Sequence, residues 1–119
     1  MAKIVISITY AKDNPDKATV AMVVANAALV SGQEAIVFLS TEGVRLAVNG
    51  YADDIREEGF APMKDLLGSF IENGGTIWVC TPCFKKRNLS EDSLVGKAKL
   101  VGGATLVEAL SQGAASICY

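Results

Sequence analysis

Along the chain, short apolar runs rich in β-branched residues alternate with longer stretches where apolar positions recur among polar ones. Residues 3–9 (KIVISIT) show little alternation, which suits a strand covered on both faces. Asn14 followed by Pro15 predicts a helix start, with Asn capping and Pro in the first turn, where its missing N–H costs nothing. That helix is predicted to run to about Ser31, with Gly32 supplying the left-handed residue that ends it. Residues 34–40 (EAIVFLS) predict the second buried strand. A short helix follows over about 43–49, closed by Gly50, and Pro62 opens another that ends at Gly74 and Gly75. Residues 76–80 (TIWVC) predict the third strand. Beyond them the pattern gives a capped turn at 90–93, a short strand at 99–101, a helix at 104–112 and a last strand at 115–119.

Strands alternating with helices argue for a parallel sheet. The expected fold is a three-layer flavodoxin-like α/β fold, with a mostly parallel five-stranded sheet and helices on both faces. No repeat, low-complexity segment or linker interrupts the 119 residues, a length that one core can serve, so a single domain over 1–119 is expected. The longest nearly uninterrupted apolar stretch, 18–30, contains Asn26 and falls short of the roughly 20 residues of a membrane span. It reads as a buried helix. MAKIVISIT enters directly into a strand-like run with no cationic flank before it, so a cytoplasmic location and no membrane association are expected.

A net charge of −2 gives no global attraction for nucleic acid, and none is expected as a direct partner. Any pull on anions has to be local, and the one dense basic run is Lys85, Lys86 and Arg87. It ends the most informative stretch of the chain, WVCTPCFKKR at 78–87. Cys80 closes the third strand and Cys83 lies just beyond it, at the carboxyl edge where parallel sheets gather ligands and catalytic groups. The strand ends at 9–13 and 40–44, with Gly102 and Gly103, should wall the same edge.

A free cysteine titrates at about 8.5, and only its thiolate attacks. Thr81 and Pro82 read as the cap and first residue of a new helix, whose amides would face the sulfurs. Lys85, Lys86 and Arg87 add positive charge. Both effects are expected to depress a thiol pKa. The plainer alternative is that Cys80 ends a buried strand as a small hydrophobe and that the cations are a solvated face.

Three cysteines are an odd number in a reducing compartment, so no disulfide framework is expected. A closed zinc site wants four ligands, whereas the chain has no histidine and only Cys118 besides the pair, so no metal is expected. Cys118, in ASICY, is expected in the core. CTPC has the spacing of a thioredoxin-like dithiol, but it follows the third strand, and Pro15, Pro62 and Pro82 do not supply that fold's cis-proline loop. GxxxxGK[ST] and GxGxxG are absent, and TYAKDNPDK after the first strand is not a small hydroxyl-rich phosphate loop, so neither flavin nor any other cofactor is expected.

A strand followed by a long alanine-rich helix (ATVAMVVANAALVSGQEAIVFLSTEGV), a strand ending in VC, and an arginine seven positions after that cysteine together resemble the DsrE/DsrF-like sulfur-relay proteins, which include the TusD type. The likeness covers nearly the whole chain. Its most specific blocks are G-x-E-A-x-V-F-x-S-T-E-G-V from Gly32 and V-C-x-x-C-x-x-x-R from Val79. The resemblance implies that Cys80 carries sulfur as a persulfide and passes it between donor and acceptor proteins. Arg87 matches the family's nearby arginine, and Glu42, Gly43 and Val44 match the turn after the second strand. With Lys86, the residues Arg87, Glu42 and Gly43 are the candidate substrate or anion contacts, and Cys80 and Cys83 the candidate catalytic pair. Trimers or hexamers of like subunits are also implied. Two positions depart from the family: Asn88 follows the arginine where glycine is frequent, and Cys83 is not general to the relay branch. Cys83 would resolve a Cys80 persulfide or carry sulfur itself. The function expected is an intracellular sulfur carrier or sulfurtransferase-like relay, with a thiol-disulfide redox protein or a non-catalytic ligand-binding oligomer as alternatives.

Overall fold

The computed structural model describes residues 2–119. Five strands, β1 (Lys3–Ile8), β2 (Glu34–Leu39), β3 (Thr76–Cys80), β4 (Ala98–Val101) and β5 (Ala115–Cys118), form one sheet in the order β4-β3-β2-β1-β5. Every pairing is parallel. The α/β layer fold is as the sequence pattern predicts. The connections carry the helices α1 (Pro15–Val30), α2 (Met63–Glu72), α3 (Thr81–Lys86) and α4 (Gly103–Ser111), with 3₁₀ segments at Thr41–Ala47, Tyr51–Asp54 and Glu91–Ser93.

The sheet order dictates where the helices go. From β1 through β4 the chain steps steadily toward one edge, then returns across the sheet to place β5 at the other. Right-handed crossovers put the first three connections on one face and α4 alone on the opposite face. On the first face, α1 packs on β1, β2 and α2. Its buried residues Ala18, Ala21, Met22 and Ala25 recur at helical spacing, and their small side chains bring the helix close to Ile6, Ile8, Val37 and Leu39. Asn26, the polar break in the apolar stretch, donates its amide to the Met22 carbonyl (2.9 Å) and the Leu66 carbonyl (3.0 Å), joining α1 to α2. The second face holds a smaller cluster of Val5, Ile36, Phe38 and Val101, with Trp78, Cys80, Leu106 and Ala114 around it.

Element ends follow the sequence signals closely. The Asn14 side chain accepts the Lys17 N–H at 3.2 Å ahead of Pro15, and Gly32 adopts φ +84° after the last turn of α1. The segment after β2 differs. In place of a helix over 43–49 there is a 3₁₀ segment starting at Thr41, because this stretch is seated on the end of β1. The Thr41 hydroxyl donates to the Thr9 carbonyl at 2.7 Å, and a Cβ on Gly43 would run into the Ile8 carbonyl. Only glycine allows that approach.

Candidate functional site

β3 passes directly into α3, and Cys80 occupies the residue before the first helical turn. Thr81 is not the cap expected from the sequence. It lies inside the helix start, and its hydroxyl donates to the Val101 carbonyl at 2.9 Å, tying α3 to the end of the neighbouring strand where Val101 pairs with Cys80. At the other end of α3, Arg87 is the C-cap and Asn88 takes φ +55°. The Asn88 N–H donates to the Lys85 carbonyl (3.0 Å) and the Leu89 N–H to the Phe84 carbonyl (3.4 Å), the paired bonds of a Schellman ending. Asparagine is the residue that tolerates this left-handed position almost as well as glycine, which accounts for Asn88.

Cys80 and Cys83 are both reduced and half-buried. Cys80 packs beside Trp78 and Val101 on the α4 face and also touches the larger cluster, against which Cys83 in the first turn of α3 rests. The Cys83 thiol and the Cys83 backbone N–H both lie close enough to Cys80 to act on its titration. Burial pushes the Cys80 thiol above its ordinary pKa, and the neighbouring Cys83 thiol pushes the same way. The Cys83 N–H and the Arg87 charge act in the opposite sense and do not win. The depression expected from helix amides and cations is therefore outweighed at Cys80. Desolvation depends on residues far away in sequence, and CTPCFKKR alone does not display it.

Arg87 is held in place from two sides. Its Nε donates to Glu42 Oε2 at 2.6 Å and its Nη1 to the Cys83 carbonyl at 3.1 Å. Glu42 Oε1 in turn accepts Arg45 Nε at 2.8 Å. The Arg87 hydrogen bond, opposed by burial and helped by Arg45, holds the Glu42 carboxyl below its ordinary range. Cys80, Cys83, Arg87 and Glu42 thus come together from β3, α3 and the turn after β2. Gly43 touches neither sulfur; its close seat on Ile8 positions Glu42. Lys86 stands exposed at the rim. Arg45 was not anticipated, although its place three residues after Glu42 is an ion-pair spacing on a helical turn.

Cys118 is exposed, contrary to the core position expected of it, because β5 is an edge strand with β1 as its one neighbour. Three strand spacings, roughly 14 Å, separate β5 from β3, so Cys118 cannot join the pair. Among the described residues no three His, Cys, Asp or Glu side chains converge as metal ligands, and no helix is long and apolar enough to cross a membrane. An apolar cavity of about 290 Å³ lies between α2 and the segment 46–53, and none of its lining residues is a cysteine.

The model of the DsrE/DsrF-like family matches residues 2–119. The chain is 34% identical over 98 residues to the uncharacterised protein MJ0989 of Methanocaldococcus jannaschii, covering 82% of each. It is 27% identical over 104 residues to the uncharacterised protein MJ0760 of the same organism, a match that takes in 87% of this chain and 38% of that longer protein. The fold is similar to that of the ychN protein from E. coli, with a TM-score of 0.84 at 18% identity and full coverage of both chains.

Proposed function

We propose, from the premise that this chain belongs to the DsrE/DsrF-like family, that it is a sulfur carrier or sulfurtransferase-like relay holding sulfane sulfur as a persulfide on Cys80. The Cys80 thiolate attacks the outer sulfur of a donor persulfide, R–S–SH. A new S–S bond forms as the donor's own S–S bond breaks, R–S⁻ leaves, and Cys80–S–SH remains; delivery to an acceptor thiolate is the same exchange in reverse. The observation that carries the reading is the placement of Cys80 at a strand end and at the start of α3, with the Cys83 backbone N–H and the Arg87 charge acting on its sulfur. Both favour negative charge on that sulfur. The raised pKa of Cys80 keeps it a thiol at rest, which makes loading faster as pH rises.

Donor and acceptor are proteins in this reading, the location is cytoplasmic, and like subunits assemble as trimers or hexamers. The exposed Val107, Leu110 and Ile117 supply apolar surface for that assembly. Exposure of the full chain to a persulfide donor, followed by intact-mass measurement, should show a gain of one sulfur atom that reductant removes. Cys80→Ser should abolish it; a gain that survives this substitution, or none in the unsubstituted chain, overturns the proposal.

A second reading, a reversible Cys80–Cys83 disulfide, is favoured by the closeness of the two free thiols, near enough for Cys83 to act on the titration of Cys80. Full sulfur transfer by Cys83→Ser would separate relay from switch, because a dithiol mechanism needs both sulfurs.

A further inference from the structure

The charge within reach of Cys80 is positive, although the chain as a whole carries a net charge of −2. Lys99 on β4 pairs with Trp78, while Cys80 pairs with Val101. Lys99 and Cys80 therefore face the same side of the sheet as diagonal neighbours, roughly 8 Å apart along the backbone. Lys86 follows Cys83 by three residues on α3, the spacing that places two side chains on one side of a helix. Lys85 and Lys86 form the exposed last turn of α3. Lys85, Lys86 and Lys99 make no ion pair among the described residues, whose pairs are Lys3–Glu34, Lys12–Asp54, Arg45–Glu42 and Arg87–Glu42.

The carboxylate beside the thiols, Glu42, is shared by two guanidiniums, so the trio Glu42, Arg45 and Arg87 is itself net positive. Glu91 and Asp92 follow α3 in a turn held against the segment after β2, where the Asn49 N–H donates to the Ser93 carbonyl at 2.7 Å and Val48 bridges Leu94, and they make no ion pair with Lys85, Lys86 or Lys99. Lysines left unpaired in a chain of negative net charge, on the two elements that flank Cys80, form a surface that steers a negatively charged partner toward it.

We infer that the protein exchanging sulfur with Cys80 docks through an acidic surface surrounding its own cysteine, with Lys85, Lys86 and Lys99 as its contacts. The inference rests on the persulfide reading above and names the kind of partner that reading requires. The exchange is the one already written, with the leaving or attacking sulfur belonging to that cysteine.

Three synthetic peptides of equal length test it, each carrying one cysteine persulfide, flanked respectively by aspartates, by serines and by lysines. Their rates of loading Cys80 in the full chain are compared at low and high salt. At low salt the acidic peptide should load Cys80 about tenfold faster than the basic one, and the ratio should collapse toward one as salt screens the charges. Combining Lys85→Glu, Lys86→Glu and Lys99→Glu, all at exposed positions, should invert the order of the three peptides. Equal low-salt rates for the three overturn the acidic partner and leave Cys80 as the sulfur carrier. Absence of loading from every peptide overturns the carrier reading, and the acidic partner falls with it.

Discussion

The two faces of the sheet are built from the same strands but covered very differently. On one, α1, α2 and the 3₁₀ segments bury a large cluster running from Ile6 to Phe84. On the other, α4 crosses alone; Ala109 is its one fully buried residue, and Val107 stays 64% exposed. The difference comes from chain direction, since three connections step one way and one returns. Cys80 sits at the strand end between the two, packed against both clusters, and the helix that carries Cys83 is anchored in the thickly covered face through Phe84. A half-buried sulfur beside the thin layer, on a strand backed by the thick one, is held in place while staying partly exposed.

The contrast predicts unequal costs of truncation. Phe70→Ala, at a fully buried site on α2, should cost about 4 kcal/mol in chemical denaturation. Leu106→Ala, at a half-buried site on α4, should cost about 1 kcal/mol. Equal losses would break the comparison. At the junction between β1 and the turn after β2, Gly43→Ala should cost about 2 kcal/mol, since either the Ile8 carbonyl or the turn has to give way. It should also loosen the Glu42–Arg87 pair. Loss of stability without a change at Arg87, followed by its side-chain NMR signal, would show the turn to be independent of the site.

The smallest effect is on titration. The pH dependence of Cys80 alkylation should have its midpoint above the free-cysteine value of about 8.5, and Cys83→Ala should lower it by removing a thiol that opposes the charge. A midpoint that rises in this variant would contradict the placement of the two sulfurs. A raised thiol pKa also means that the folded state holds its proton longer than the unfolded one, so stability falls as pH climbs from the free-cysteine value toward that of Cys80. Glu42 has the opposite sign. Its lowered pKa contributes stability above the ordinary carboxylate value, which is lost as pH drops through its own.

Much of the site was legible because its signals are local. The apolar run TIWVC predicts β3 to the residue, and Asn14 with Pro15 marks the start of α1. Thr81 was misread for a local reason too: a threonine before proline looks like a cap, and nothing in TPCF shows that a carbonyl at Val101, twenty residues on, takes its hydroxyl. Cys118 was misplaced because an apolar strand reads alike at a sheet's centre and at its edge.

The sequence by itself determined the alternation of strands and helices and the pairing of Cys80 with Cys83 at a strand end, which rest on periodicity, turn chemistry and spacing, all of which act within a few residues. Glu42 and Arg87, in two separate blocks, stood out through the resemblance to the family. Only the tertiary structure decided the direction of the Cys80 pKa shift, the clamp of Glu42 between Arg45 and Arg87, and the arrival of Lys99 on the strand next to Cys80. Burial, and charges carried by different elements, acquire values only when strands distant in sequence lie side by side.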